Sequence, residues 1–214
     1  EYERMSTTVI NAYVMPIIDR YLQDLQRMMR EEGLLADLNV MQSNGGVMTS
    51  RSAGEKSVHT ILSGQAGGVM GSLAVGNQIG MKNLITVDMG GTSFDICLIH
   101  DGKIHFTKES EIGGHPIKIT MIDIHTIGAG GGSIAWIDPG GSLRVGPQSA
   151  GAKPGPVCYR LGGEEPTVTD ANLVLGRLDP EYYLGGEMSL DVKAAKEAIM
   201  DKIARPLELS LEEA

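Results

Sequence analysis

The chain has 214 residues, of which 42% are hydrophobic and 21% are charged, and its formal net charge is −9. This composition is typical of a globular chain and excludes a disordered one. The negative charge argues against non-specific binding to nucleic acid, which requires a basic surface. No apolar run reaches the roughly 18 residues that a transmembrane helix requires, so the sequence predicts no membrane partner.

The cysteine content and the two ends of the chain carry further expectations. Cys97 and Cys158 are far apart and form no CxxC pair, which is typical of a reduced, cytoplasmic protein without a structural zinc site. The chain starts at Glu1 without a methionine, and Ser210 with the acidic residues behind it resembles a helix that has only begun. These features predict an internal fragment of a longer protein.

The first predicted element is a long amphipathic helix over residues 7–32, ended by Gly33. Pro16 either kinks this helix or marks its first turn. The apolar residues at helical spacing, among them Tyr21 and Met28, are expected in the core. The other predicted elements are a strand at 38–41, a helix at 66–80, a buried strand at 84–88, strands at 94–99, 104–108, 117–124 and 134–137, a Gly- and Pro-rich loop or hairpin at 138–168, a short helix capped by Thr169 and Asp170, and a helix at 191–204.

The strongest local pattern is the loop from Asp88 to Asp95, which joins two predicted strands. Its position excludes a P-loop or a Rossmann motif, because each of those opens a helix. A strand–Gly-Gly-Thr–strand turn can instead cradle a phosphate. Asp88 can hold a hydrated Mg²⁺ or orient a water, and Asp95 can anchor the loop or reach the metal shell. The groups expected to bind the phosphates are the backbone amides of Gly90 and Gly91 and the hydroxyls of Thr92 and Ser93. A tight hairpin with a structural aspartate is the alternative.

Two further glycine clusters are candidates for anion binding. Gly64, Gly67 and Gly68 are predicted at a helix N-terminus, where free amides and the helix dipole favour an anion. The alternative there is close helix packing that requires small residues. The third cluster, Gly128 to Ser133, can pass close to a flat ring or a phosphate, and its candidate binding residues are Gly130, Gly131, Gly132 and Ser133.

Asp123 and His125 are two residues apart on a predicted strand and would therefore point to one face. They are candidates for a metal site or for acid–base chemistry, with a hydrogen-bonded structural pair as the alternative. Cys158 has no basic partner in the sequence, which favours a buried, inert thiol over a nucleophile.

Several long motifs together resemble the hydantoinase A/5-oxoprolinase family. They are Ser6–Val14, Met41–Gly46, Asp88–Asp95, Thr126–Ser133, Val145–Tyr159 and Pro166–Asn172. The resemblance covers nearly the whole chain. One departure is Gln65, where relatives usually carry a proline, and this bears on the rigidity of that loop.

The resemblance implies an α/β fold of the actin-like ATPase (ribonuclease H-like) type, with a mixed sheet and flanking helices. It implies one lobe over residues 1–214, with a helical and Gly-loop portion at 1–80 and a phosphate-loop portion at 81–214. Asp88 to Asp95 resembles the phosphate motif of the second lobe. A first lobe with its own Asp-Gly-Gly-Thr motif is expected elsewhere, because no second copy occurs in these residues.

The function that the resemblance implies is the ATP-handling part of a cyclic amidohydrolase that phosphorylates an amide oxygen. ATP and Mg²⁺ are the implied cofactors, and Asp88 is implied to serve Mg²⁺ or the attacking group. The candidate catalytic residues are thus Asp88 and Asp95, and the candidate metal ligands are Asp88 together with Asp123 and His125, which their spacing suggested. The implied partners are a small cyclic amide and a second, hydantoinase B-type subunit. The alternatives are an ATP-dependent ketone carboxylase and a nucleotide-binding lobe that is catalytically silent in isolation.

Overall fold

The computed structural model describes all residues from 1 to 214. Its helices are α1 (Tyr2–Glu31), α2 (Ser50–Glu55), α3 (Ser63–Gln78), α4 (Val168–Val174) and α5 (Val192–Ile199). Its strands are β1 (Asn39–Met41), β2 (Val47–Thr49), β3 (Leu84–Met89), β4 (Phe94–His100), β5 (Lys103–Ile104), β6 (Phe106–Thr107), β7 (Ser110–Ile112), β8 (His115–Ile117), β9 (Met121–Ile122), β10 (His125–Ile127), β11 (Ser133–Ile137) and β12 (Leu143–Ser149). This mixture of helices and short strands confirms the predicted α/β class. No helix is both long and apolar enough to cross a lipid bilayer.

The chain forms two compact units, of which the first comprises residues 1–87 and 96–125. Its core contains Ala66 and Val69 of α3 together with Cys97 and Ile99 of β4. A second cluster joins Val58 to apolar residues of 117–121. Burial of these aliphatic side chains supplies the main driving force for this unit, at about 25 cal/mol for each Å² removed from water.

The second unit comprises residues 88–95 and 126–214. β11 and β12 form an antiparallel hairpin, and α4 and α5 pack around a core that contains Cys158, Leu173, Leu190 and Ala195. A four-stranded sheet has the order β10-β4-β3, with β5 paired to β4. Strands β3, β4 and β10 thus each contain residues of both units. The predicted portions 1–80 and 81–214 within a single lobe stay a prediction.

Several predicted elements differ from those observed. Helix α1 starts at Tyr2 and continues through Pro16, so this proline is not in its first turn. Tyr21 and Met28 are 60% and 55% exposed, which corrects their assignment to the core. Helical periodicity cannot distinguish a buried apolar face from an exposed one, and only the position of α1 against α2 and β8 makes that distinction.

The strand predictions at 84–88, 104–108 and 117–124 require correction. Ile85 and Val87 of β3 are 70% and 62% exposed, so β3 is not buried on both faces. The other two segments break into short strands, because β6 pairs with β9 while β7 and β8 form a separate hairpin. The Gly- and Pro-rich region 138–168 contains β12, as the predicted hairpin alternative allows.

Asp170 connects the start of α4 to the turn at 157–159. The N-cap is Thr167 rather than the predicted Thr169, and Thr167 and Asp170 form a reciprocal capping box. The Asp170 carboxylate is fully buried and also accepts hydrogen bonds from the amides of Val157 (3.2 Å) and Cys158 (2.8 Å). One carboxylate therefore fixes both the start of α4 and the turn at 157–159.

We expect Asp170→Ala to lower the free energy of unfolding by about 3 kcal/mol, because it leaves several buried donors without an acceptor. Urea unfolding monitored by circular dichroism measures this loss. The control is Asp201→Ala, whose carboxylate is exposed and paired with Arg205, and we expect a change within about 0.5 kcal/mol. Equal effects of the two substitutions would contradict the role assigned to Asp170.

Candidate functional site

A cavity of about 420 Å³ lies within the second unit, between the two glycine loops and α4. Gly90 and Gly91 of the first loop and Gly131 and Gly132 of the other loop line it. Thr169 and Asn172 of α4 form a further part of its wall, together with residues from 151–159 and 178–183. The cavity thus brings together two of the three glycine clusters that the sequence singled out.

The two loops are joined directly through their backbones. The Gly131 amide donates to the Gly90 carbonyl at 2.8 Å, and the Gly132 amide donates to the Gly91 carbonyl at 2.6 Å. A Cβ at Gly130 would lie 2.6 Å from backbone atoms of Thr92, and a Cβ at Gly132 would lie 2.9 Å from the Gly91 oxygen. Side chains cannot occupy these positions, so the glycines are required by the approach of one loop to the other.

Gly130 and Ser133 do not line the cavity. Both residues are buried, and the Ser133 hydroxyl lies 3.5 Å from the Gly128 carbonyl oxygen. Gly131 and Gly132 line it, but their amides are used in the contact with the other loop. The structure therefore gives the glycine triplet a role in holding the first loop.

The first loop keeps hydrogen-bond donors that have no acceptor in the chain. They are the backbone N–H groups of Gly91 and Thr92 and the hydroxyl of Thr92, and both residues are exposed. The Gly90 amide closes the turn by donating to the Ser93 carbonyl at 3.0 Å. Free amides and a hydroxyl in a tight turn suit the oxygens of a phosphate.

The two aspartates of this loop lie in different environments. Asp88 is exposed near the end of β3, and its carboxylate has no hydrogen-bond partner in the chain. Asp95 is 5% exposed and accepts hydrogen bonds from the hydroxyls of Ser93 (3.0 Å) and Thr126 (2.6 Å). This geometry fits the anchoring alternative for Asp95 and leaves Asp88 as the accessible carboxylate.

No three His, Cys, Asp or Glu side chains are close enough together to hold a metal ion. Asp123 lies between β9 and β10, so the single strand expected to carry both Asp123 and His125 does not exist. Mg²⁺ commonly uses one or two carboxylates, with water and substrate phosphates as its other ligands. Asp88 beside the unpaired amides fits that pattern, while metal binding by Asp123 and His125 stays a prediction.

The cluster at residues 63–68 belongs to the first unit and forms the start of α3. A Cβ at Gly64 or Gly68 would meet nothing within 4 Å, and one at Gly67 would make an ordinary contact with Met41. Close packing therefore does not explain why these positions are glycines. Anion binding at this helix start stays a prediction.

Three cavity residues received no functional role from the sequence, although they lie in or near its long motifs. The Thr169 amide and hydroxyl both donate to the Gly131 carbonyl, each at 2.8 Å, so α4 is attached to the glycine triplet. Tyr159 and Tyr183 line the cavity with their hydroxyl oxygens 2.6 Å apart. The family motif Pro166–Asn172 contains Thr169 and could have indicated that it belongs to the site. No local pattern indicates that Tyr159 and Tyr183 contact each other.

Burial controls the ionisation of the groups beside the cavity. It raises the pKa of the Tyr159 hydroxyl, and the hydrogen bond with Tyr183 raises it further. Burial likewise raises the pKa of the Cys158 thiol, with the neighbouring Asp170 carboxylate adding to the shift. Both groups are therefore neutral near pH 7, which supports the interpretation of Cys158 as an inert thiol.

The model of the hydantoinase/oxoprolinase family matches residues 4–214. The chain belongs to this family. Over its whole length it is 49% identical to caprolactamase subunit alpha of Pseudomonas jessenii, of which it covers 31%.

Two solved structures of family members superimpose on the entire chain. An acetone carboxylase in a nucleotide-free structure, described as ATP-dependent, matches with a TM-score of 0.86 and 33% identity over 30% of its chain. The ATP-dependent caprolactamase from Pseudomonas jessenii matches with a TM-score of 0.80 and 48% identity over 31% of its chain. The chain thus spans about a third of the length of these relatives, and the predicted actin-like ATPase type of α/β fold is confirmed.

The contact between the glycine loops makes Gly132→Ala a sharp test of the site. Because the added methyl group would lie 2.9 Å from the Gly91 oxygen, we expect a loss of about 1–3 kcal/mol in the free energy of unfolding. The control Gly128→Ala adds a methyl group at 3.7 Å from Pro147, an ordinary contact, and should cost less. Chemical denaturation of both variants compares the two losses, and a harmless Gly132→Ala would contradict the loop contact.

The raised pKa of Cys158 predicts an unreactive thiol and a loss of stability at alkaline pH. The unfolded thiol ionises near pH 8.5, whereas the folded thiol stays protonated above that pH. The contribution of Cys158 to stability is therefore fully present below about pH 8.5 and decreases as the pH rises further. Labelling with a thiol reagent at pH 8 should be slow in the native protein and fast in urea. Rapid native labelling of Cys158 would contradict this prediction.

Proposed function

We propose that this chain supplies the nucleotide-binding part of an ATP-dependent enzyme that opens a cyclic amide. The observation that carries the proposal is the exposed turn at 88–92, which contains both the unpaired amides of Gly91 and Thr92 and the free carboxylate of Asp88. Similarity to an ATP-dependent caprolactamase supports the amide as the substrate class. We also propose a cytoplasmic location.

In this proposal, the Gly91 and Thr92 amides and the Thr92 hydroxyl hold the phosphates of ATP. Phosphoryl transfer requires mainly alignment and charge stabilisation, which fixed backbone dipoles supply without reorganisation. Gly90 contributes the tight turn, and the Ser93 hydroxyl is used to hold Asp95. Asp95 is a positioning residue, because its bonds from Ser93 and Thr126 fix the loop that carries the donors.

Asp88 is the residue that we assign to Mg²⁺, which would neutralise phosphate charge when bound. The Asp88 carboxylate is exposed and unpaired, so no hydrogen bond within the chain has to break before it binds a hydrated cation. Gly131 and Gly132 act by holding the Gly90–Gly91 backbone in place.

The chemistry that we propose activates the amide by phosphorylating its oxygen. The amide oxygen forms a bond to the terminal phosphorus of ATP as the bond to ADP breaks. Water then attacks the activated carbon, and the tetrahedral intermediate expels the ring nitrogen as a free amine, which leaves an acyl phosphate. A second water attacks the same carbon, and the phosphate leaves with the original amide oxygen. The poor leaving group of an amide is in this way replaced by a good one.

A second candidate is ATP-dependent carboxylation of a ketone, which similarity to an acetone carboxylase favours. The same phosphorylation would occur on an enol oxygen, with bicarbonate supplying the carboxyl group. Both candidates use the same phosphate turn, and the shape of the substrate pocket would separate them.

We further propose that a second lobe and a hydantoinase B-type subunit complete the enzyme. The caprolactamase relative is about three times as long as this chain and is a subunit by name. On this view the 214 residues alone bind ATP weakly and show no measurable turnover. ATP hydrolysis by the isolated chain at an ordinary enzyme rate would contradict the need for a second lobe.

Oxygen labelling tests the proposed function with the intact protein and its partner subunit. A lactam or hydantoin with an ¹⁸O-labelled carbonyl is incubated with Mg²⁺ and ATP, and the inorganic phosphate is examined by mass spectrometry. We expect one ¹⁸O atom in the phosphate for each ring opened. Unlabelled phosphate would contradict this route, and phosphate released with a ketone and bicarbonate but not with a cyclic amide would favour the carboxylase.

Asp88→Asn adds a residue-level test to the labelling experiment. We expect a loss of at least about a hundredfold in kcat, because the neutral amide is a far weaker ligand for Mg²⁺ than a carboxylate. The matched control is Asp101→Asn, an exposed residue in the turn after β4, which should leave kcat unchanged. Full activity of Asp88→Asn would remove Asp88 from the mechanism.

A further inference from the structure

The end of α4 is a turn that brings Arg177 back to Asn172. Gly176 has a φ of +70°, its amide donates to the Leu173 carbonyl at 3.0 Å, and the Arg177 amide donates to the Asn172 carbonyl at 2.9 Å. This is a Schellman motif, in which glycine is favoured because of its positive φ. In the same turn Arg177 Nη1 donates to Asn172 Oδ1 at 3.1 Å.

This contact fixes the orientation of the Asn172 carboxamide. A guanidinium has donors only, so the atom that faces Arg177 must be the carbonyl oxygen of the amide. The Asn172 Nδ2 group makes no hydrogen bond within the chain, and Asn172 lines the cavity. The side chain of this cavity-lining residue therefore keeps two N–H donors that are not used within the chain.

The cavity wall differs in chemistry along α4. One end lies at the glycine loops and suits phosphates, and the other end is more apolar and suits a flat ring. Thr169 is bonded to Gly131, while Asn172 lies one helical turn farther on, a rise of about 4.5 Å. Leu178 and the paired rings of Tyr159 and Tyr183, with centroids 5.6 Å apart, add apolar surface. The anionic part of a nucleotide suits the glycine end, and its base suits the end with these side chains.

We propose that Asn172 selects adenine over guanine by donating to the N1 atom of the base, with Arg177 as the residue that positions it. This inference rests on the proposed function, since it concerns the same nucleotide site. The edge of a purine that lies farthest from its sugar carries N1 and the substituent at position 6. Adenine N1 is an acceptor, whereas guanine N1 and hypoxanthine N1 carry hydrogen and would face a second donor. Two N–H groups that face each other without an acceptor weaken binding about tenfold or more.

The test measures dissociation constants by calorimetry on the intact protein, with the magnesium salts of four nucleotides. They are ATP, purine riboside triphosphate, which keeps the N1 acceptor but lacks the 6-amino group, and ITP and GTP, in which N1 is a donor. We expect the first two to bind within a few fold of each other. ITP and GTP should bind about tenfold or more weakly.

Two variants test the residues, and each unfolding temperature is recorded to verify folding. Asn172→Asp replaces the donor with an acceptor, so the ratio of ITP to ATP affinity should rise about tenfold or more. Arg177 is exposed, and Arg177→Met removes its contact with Asn172. The Asn172 carboxamide is then free to rotate, so this variant should also reduce the preference for ATP. The control Arg160→Met removes an exposed arginine that pairs with Asp191 and does not line the cavity, and the preference should be unchanged.

The outcomes separate this inference from the proposed function. If the wild-type protein binds all four nucleotides equally, or if both variants keep its preference, the assignment of Asn172 is overturned while ATP binding stands. If the wild-type protein binds none of them, the nucleotide site itself is wrong, and this inference falls with it.

Discussion

The backbone contact between the two glycine loops is the constraint on which the site depends. Two hydrogen bonds, from Gly131 to Gly90 and from Gly132 to Gly91, hold the loops at a separation that admits no side chain at Gly130 or Gly132. The carbonyls of Gly90 and Gly91 are used in this contact, whereas the amides of Gly91 and Thr92 in the same turn have no acceptor in the chain. In the proposed function, a loop held in this way through its acceptors uses its remaining donors on an anion.

A second layer of polar contacts supports that pair of loops. Thr169 donates twice to the Gly131 carbonyl, and the buried Asp170 carboxylate next to it fixes the first turn of α4 and the turn at 157–159. Asp95 holds the other side of the site through Ser93 and Thr126. Hydrogen bonds thus connect three segments that are far apart in the chain, at residues 88–95, 126–133 and 157–170. The buried carboxylates of Asp95 and Asp170 accept several of these bonds.

The site contains buried residues that fix the loops and other residues whose hydrogen-bonding groups are unused within the chain. Asp95, Asp170, Gly130 and Ser133 are buried and occupied, whereas Asp88, Thr92 and the Asn172 amide nitrogen keep unused hydrogen-bonding capacity. Of the second group only Asn172 lines the cavity, while Asp88 and Thr92 belong to the exposed turn whose Gly90 and Gly91 line it. Family membership covers the whole chain, and within the family the chemistry differs between an amide and a ketone, so substrate choice depends on more than this shared phosphate turn.

The sequence by itself determined the elements whose local signals are strong, such as the strand–glycine–strand turn at 88–95 and the family. It also predicted a helix at 191–204, of which α5 forms residues 192–199. Glycine doublets and capping residues act over a few positions, so they can be recognised without the fold. Only the tertiary structure showed that the Gly130–Ser133 cluster supports the first loop and that Asp95 is buried. It also showed that Tyr159, Tyr183 and Asn172 line the same cavity as the two glycine loops. These are contacts between distant segments, and which segments meet depends on the packing of the whole unit rather than on any local pattern.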